Sequence, residues 1–180
     1  LQGSLASLLQ DKGNYEGAEQ LHRRALTIFE KVMGKEHPNT ITTIYNLAQL
    51  LRDKGDHKGA APLYRQLIEI HEELLKNNVP ILPQVSEMIA ISNNNLAFDS
   101  LVPEKNWKDA EHYYQKAINL FNKVPDPVQA ANSELNLQTV YHLSGQQVDV
   151  ERVKTLTRIL EEAKDKRAEK GHKILKEISE

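Results

Sequence analysis

The sequence predicts an all-α solenoid: four helix-turn-helix repeats followed by a C-terminal capping helix. Three observations carry that reading. The chain repeats itself, since Leu5-Ala6-Ser7-Leu8-Leu9 returns as Leu47-Ala48-Gln49-Leu50-Leu51 after a shift of 42 residues. Apolar residues recur at helical spacing in segments punctuated by Gly and Pro. No segment carries the alternation of a half-buried strand.

The repeats follow in order. In the first, about residues 1–37, the same shift carries Asp11-Lys12-Gly13 onto Asp53-Lys54-Gly55, Gly17-Ala18 onto Gly59-Ala60, and Leu21 onto Leu63. The second, about residues 38–82, opens at Pro38-Asn39-Thr40, which offers an N-cap. Its first helix carries Ile44, Leu47, Ala48 and Leu51 and stops at Gly55, a residue able to close a helix in the left-handed conformation. Its second helix runs from about His57 to Leu75, with Ala60, Leu63, Tyr64, Leu67, Ile68, Leu74 and Leu75 as its apolar stripe.

In the third repeat, about residues 83–125, Asn95-Leu96-Ala97 restores Asn46-Leu47-Ala48, and Trp107, Ala110, Ala117 and Phe121 take the places of Tyr15, Ala18, Ala25 and Phe29. The fourth, about residues 126–166, has Asn136-Leu137-Gln138 and then Gly145, with Val150 and Val153 at the places of Ala60 and Leu63. Small Ala18, Ala60 and Ala110 mark close helix crossings. Pro38, Pro80, Pro83, Pro125 and Pro127 separate the pairs, because proline cannot continue a preceding helix. Residues 167–180 read as a solvated cap with a narrow stripe of Ile174, Leu175 and Ile178. Glu162–Lys166 and Glu169–Lys173 are spaced for i, i+4 ion pairs, and a partner-docking helix is the alternative for this segment.

Composition excludes several classes of function. The chain is 39% hydrophobic and 27% charged, which suits a foldable, non-membrane protein. Its net charge of −2 lacks the basic excess that displaces counterions from nucleic-acid phosphates. No apolar run is long enough to span a bilayer. The absence of cysteine removes disulfides, thiolate metal sites and a cysteine nucleophile. Leu1 rather than Met at the start suggests an excerpt from a longer chain, and no signal-peptide pattern is present, so the expectation is a cytoplasmic module.

The pattern Leu5-Ala6, Gly13, Tyr15, Ala18, Leu21 and Ala25 resembles a tetratricopeptide repeat (TPR). The period exceeds the usual spacing of about 34 residues, and in this it resembles the long-repeat variety of kinesin light chains. That variety's loop, Gly-x-x-His-Pro-x-Thr leading to Thr-x-x-Asn-Leu-Ala, is matched by Gly34, His37, Pro38, Thr40, Thr43, Asn46, Leu47 and Ala48. HEAT and armadillo arrays have comparable periods but lack this signature. The resemblance implies a right-handed α-α superhelix whose first helices line a concave groove, with stability shared between nearest neighbours.

By the same resemblance, the groove positions include the Asn before each Leu-Ala: Asn46, Asn95 and Asn136, with Ser4 in the first repeat. An amide side chain both donates and accepts, so a row of them can hold extended peptide backbone. The alternative is that these residues only bond neighbouring helices. Flanking positions by helical spacing are Gly3, Ser7, Gln10, Tyr45, Gln49 and Arg52, then Asn94, Phe98, Leu101, Leu135, Thr139 and His142. Three amides supply only a few kcal/mol, at about 0.5–1.5 kcal/mol per net bond. Micromolar binding needs about 8 kcal/mol, so apolar contacts must add the rest. The chaperone-tail carboxylate clamp of other TPRs is not matched, since its Asn positions hold Ser7, Gln49, Phe98 and Thr139.

No catalytic constellation stands out. His71-Glu72-Glu73 begins like a zinc-protease helix, but Leu75 stands where the second ligand belongs. His37 sits in the inter-repeat loop, where a turn role is expected. The reading is therefore a non-enzymatic protein-interaction module without metal or cofactor, an adaptor or scaffold that binds a protein or peptide partner and neither nucleic acid nor membrane. A regulatory sensor array within a larger nucleotide-switch or enzyme-containing protein is the alternative. A monomer is expected, with weak end-to-end self-association through Leu5, Leu8 and Leu9 as a variant.

Overall fold

A computed structural model of the chain describes Leu9 and residues 13–124 and 126–179. The described residues form eight helices and no strand: α1 (Tyr15–Met33), α2 (Pro38–Asp53), α3 (His57–Lys76), α4 (Pro83–Leu96), α5 (Trp107–Lys123), α6 (Pro127–Leu143), α7 (Val150–Glu162) and α8 (Ala168–Ser179). A π-helical turn, Ala97–Leu101, prolongs α4. Two compact units divide the chain, Leu1–Ser92 and Asn93–Glu180. Gly3, Ser4, Leu5, Ser7, Leu8, Gln10 and Pro125 lie outside the described residues.

One turn recurs between the two helices of a pair. The first helix ends in a bond spanning five residues, Asp56 N–H to Leu51 O at 2.8 Å, closed over Gly55 at φ 85°. Asp56 then caps the second helix by accepting from Gly59 N–H at 2.8 Å. Asn14 does the same for α1, accepting from Gly17 N–H at 3.0 Å. Gly59 leaves room for that cap, since a Cβ there would lie 2.3 Å from an Asp56 carboxylate oxygen. In the third repeat Lys105 takes the left-handed position at φ 56°, and Asp109 stands where Gly59 does. The Asn106 cap bond is stretched to 3.4 Å there. At the head of α2 the cap is His37, whose Nδ1 accepts from Asn39 N–H at 3.1 Å. Pro38 is thus the first helical residue, and the cap expected within Pro38-Asn39-Thr40 is instead His37, just before it.

Counting from the caps sets the register of the core. The residue four places after Asn14, Asp56, Asn106 and Asp149 is Ala18, Ala60, Ala110 and Val153, each at most 1% exposed. Val153, not Val150, is therefore the equivalent of Ala60. The connection from Gly145 to Asp149 is longer than Gly55-Asp56, and that offset is invisible without the cap. Eight places after the caps come His22, Tyr64, Tyr114 and Thr157, all buried.

In the first unit, α2 packs against both α1 and α3. Its core includes Ile44, Leu47, Leu51, Tyr64 and Leu67. In the second unit, Ala131, Leu135, Val153, Leu156, Leu160, Ala168 and Ile174 form one cluster joining α6, α7 and α8. The last helix is thus part of a core and not only a solvated cap. Gly171 lets it approach α7, since a Cβ there would fall 1.9 Å from Thr157 Oγ1. The expected Glu162–Lys166 pair does not form, because α7 ends at Glu162 and Lys164 turns left-handed at φ 53°. Lys173 pairs with Glu177 at 3.7 Å and not with Glu169.

Candidate functional site

The expected groove residues fall on the first helices of the pairs, and each unit presents its own set. In the first unit, α2 carries Tyr45, Asn46, Gln49 and Arg52, all half-buried. Their spacing of three and four residues puts Tyr45, Gln49 and Arg52 on one side of the helix. Gln49 holds Tyr45 by donating from Nε2 to the Tyr45 hydroxyl at 3.2 Å. Its Oε1 accepts from Tyr64 on α3 at 2.5 Å, so a chain of three side chains ties the face to the core. Burial, then the Glu87 carboxylate, pushes the Tyr45 hydroxyl up to about 12, so it stays a neutral donor and acceptor. Asn46 has no side-chain hydrogen bond among the described residues. This face can offer an amide and a fixed phenol to an incoming polar backbone.

In the second unit the amides are already engaged. Asn136 on α6 donates from Nδ2 to Asn94 Oδ1 at 3.0 Å, across 42 residues of sequence. Ser133 donates to the same oxygen at 3.1 Å. The Asn136 carbonyl accepts from Lys170 Nζ on α8, across 34 residues. Asn94 Nδ2 reaches Asn95 Oδ1 at 3.4 Å, and Asn95 is only 5% exposed. Asn94, one residue before the expected Asn95, is the side chain that Asn136 meets, and the π turn begins just beyond, after Leu96. Phe98 lies in that turn, 43% exposed, with Lys170 Nζ 5.0 Å over its ring.

Other expected flanking residues separate into two groups. Leu101 and Leu135 belong to the core, at 2% and 0% exposure, and present nothing to a groove. Thr139 and His142 line a cavity of about 550 Å³ in the second unit, between the π turn, α6 and α8. His142 Nε2 lies 3.2 Å from Glu177 on α8.

Sequence reasoning missed Lys170. Burial first, then the neighbouring Arg167 charge, pulls its pKa down to about 8. The signal that would have found it is spacing, because Lys170 follows Asn136 by 34 residues, the ordinary repeat period. Among the described residues no helix is long and apolar enough to cross a membrane, and no group of three or more His, Asp or Glu could hold a metal ion.

Comparison with known proteins places the fold. Residues 1–73 match the tetratricopeptide repeat family model. No curated protein matches the chain. Among solved structures, a candidate kinesin light chain of Podosopora anserina with nearly identical TPR-like repeats matches with TM-score 0.66 at 22% identity, over 89% of this chain and 74% of its own. A single-substitution variant of that protein gives 0.67. BtubC (BKLC) from P. vanneervenii gives 0.66 at 18% identity, over 97% of this chain and 63% of its own. At these identities the likeness to the solved structures is one of fold.

Proposed function

From a tetratricopeptide-repeat chain whose fold is of kinesin-light-chain type, we propose a peptide-capturing adaptor or scaffold segment. It holds an extended stretch of a partner protein against the first-helix faces. The supporting observation is the α2 face, where Tyr45 is held in place by Gln49 while Asn46 and Arg52 stand beside it, half-buried. A fixed phenol loses little rotamer freedom on binding, which lowers the cost of ordering a ligand. The Asn136 amide serves a different purpose, because Asn94 and Lys170 take both its ends.

Three or four polar contacts at about 0.5–1.5 kcal/mol each give weak, exchangeable binding unless apolar side chains of the partner add to it. The test is a selection from a displayed peptide library on the wild type, on Asn46→Ala/Arg52→Ala and on Asn136→Ala, matched for thermal stability. Enrichment of a short motif by the wild type and Asn136→Ala, lost in the α2 double variant, supports the reading. The same motif from all three proteins, or no motif from any, overturns it.

A further inference from the structure

In the cavity of the second unit one ammonium has no carboxylate paired with it among the described residues. Lys170 points its ammonium into the wall of the cavity of about 550 Å³. Among the described residues its one side-chain hydrogen-bond partner is the neutral Asn136 carbonyl, and no carboxylate pairs with it. A desolvated ammonium is costly to leave without an anion, and its depressed pKa of about 8 records that cost. Two of its three N–H donors have no protein acceptor among the described residues. The acidic residues nearby do not fill the gap. Glu177 is engaged by His142 at 3.2 Å and by Lys173 at 3.7 Å, and Glu169 is exposed at the rim.

The rest of the wall is apolar. Phe98, Val102, Val140, Leu143 and Ile174 line it, and Phe98 and Leu143 remain 43% and 52% exposed. The volume lies in the range of small-ligand sites, about 300–1,000 Å³. Lys173 also lines the cavity but faces Glu177 at 3.7 Å, so Lys170 is the lining ammonium left without a carboxylate. An apolar floor with one such cation selects an amphiphile that carries one negative charge. A phosphate group fits poorly, because no guanidinium lines the site and Glu169 and Glu177 at the rim repel a dianion.

We infer that this cavity binds a small monocarboxylic acid, its carboxylate on Lys170 Nζ and its aliphatic or aromatic tail across Phe98, Val140 and Leu143. This goes beyond the peptide-capture reading and does not depend on it, since it uses none of the α2 face.

The experiment titrates the full chain with decanoate and with 4-phenylbutyrate, each beside its primary amide, by NMR at pH 7. The same titrations are run on Lys170→Met and on Lys173→Met. Both acids are expected to bind at least about tenfold more tightly than their amides, with shifts confined to the π turn, α6 and α8. Lys170→Met loses that preference and Lys173→Met keeps it. Equal binding of acid and amide by the wild type overturns the inference even where Lys170→Met fails to fold. A preference that survives in Lys170→Met, or shifts confined to α2, overturns it as well. Binding of an acidic peptide without binding of either free acid assigns the site to a peptide and also overturns it.

Discussion

Asn136 is held at both ends of its amide: Nδ2 donates to Asn94 Oδ1 at 3.0 Å, and Oδ1 accepts from the Lys170 ammonium. A residue so placed joins the last turn of α4 to α8 through one side chain. Removing it takes the one hydrogen-bond acceptor from the half-buried Lys170 ammonium, whereas removing Asn46 strands nothing comparable. Asn136→Ala is therefore expected to cost about 1–3 kcal/mol, and Asn46→Ala less than about 0.5 kcal/mol. Urea unfolding of the two variants checks this, and equal midpoints would refute it.

Lys170 sets a pH dependence of unusual sign. Burial, with Arg167 nearby, lowers its folded pKa from 10.5 to about 8, so between these values the unfolded chain binds the proton and the folded chain does not. Stability attributable to this residue therefore rises with pH across that window, and below it the penalty is constant. The charged and titratable groups around it are Glu169, Lys173 and Glu177 on its own helix, Arg167 before it, and the His142 imidazole on α6. Wild type is expected to gain on Lys170→Met as the pH climbs from about 8 to 10.5. A difference between the two urea midpoints that does not change with pH would count against the assignment.

Gly171 against Thr157 predicts a steric failure. An added methyl would fall 1.9 Å from Thr157 Oγ1, and that hydroxyl is fixed by its bond to Val153 O at 2.7 Å. Gly171→Ala is expected to cost about 1–3 kcal/mol through overpacking. Thr157→Ala should restore part of the loss, because it removes the clashing atom. A double-mutant cycle by thermal melting gives the coupling, and strict additivity would show that α8 does not sit as described.

Lys105 occupies a left-handed position that Gly13, Gly55 and Gly145 occupy in the other repeats. A side chain there costs about 1–2 kcal/mol, part of which glycine returns through its greater freedom when unfolded. Lys105→Gly is expected to raise stability by up to about 1 kcal/mol, and Gly55→Ala to lower it by about 1 kcal/mol. Opposite signs in calorimetry confirm the equivalence, and a destabilised Lys105→Gly denies it.

Asp56 caps α3 with its carboxylate against Gly59 N–H at 2.8 Å. Asp56→Ala should cost about 1 kcal/mol, and Asp56→Asn about half of that. The stretched cap at Asn106, at 3.4 Å, should be worth less, so Asn106→Ala is expected to be the milder change. Thermal melts of the three variants rank them, and an inverted order would sink the geometric reading.

The first unit was the most legible part of the sequence, because Gly55, Ala60, Leu47 and the loop from Gly34 to Thr40 each have a local cause. A left-handed turn, a close crossing and a proline start are dictated within a few residues. The second unit was less so. Lys105 hides a glycine position because lysine tolerates the conformation at a cost, and nothing nearby advertises it. Val150 was placed one turn away from its true equivalent because the length of the Gly145–Asp149 connection shows only once the cap is known. Lys170 looked like solvated surface because charge alternates along α8, and its burial depends on α6 and the π turn far back in sequence. At the candidate site, helical spacing puts Tyr45, Gln49 and Arg52 on one side of α2, while Leu101 and Leu135, read from the same spacing, are core. Helical spacing assigns a side to a residue but not the distance from that side to the next helix.

The tie from Asn94 to Asn136 spans 42 residues, the tie from Asn136 to Lys170 spans 34, and the contact from Thr42 to Met88 spans 46. Each of these bonds joins one repeat to the next, so ordering can start in one pair of helices and spread to its neighbour. A nearest-neighbour stack of this kind requires no contact between distant parts of the chain before its first turns form. Mutations in its turns should then register mainly in how fast the chain falls apart rather than in how fast it assembles.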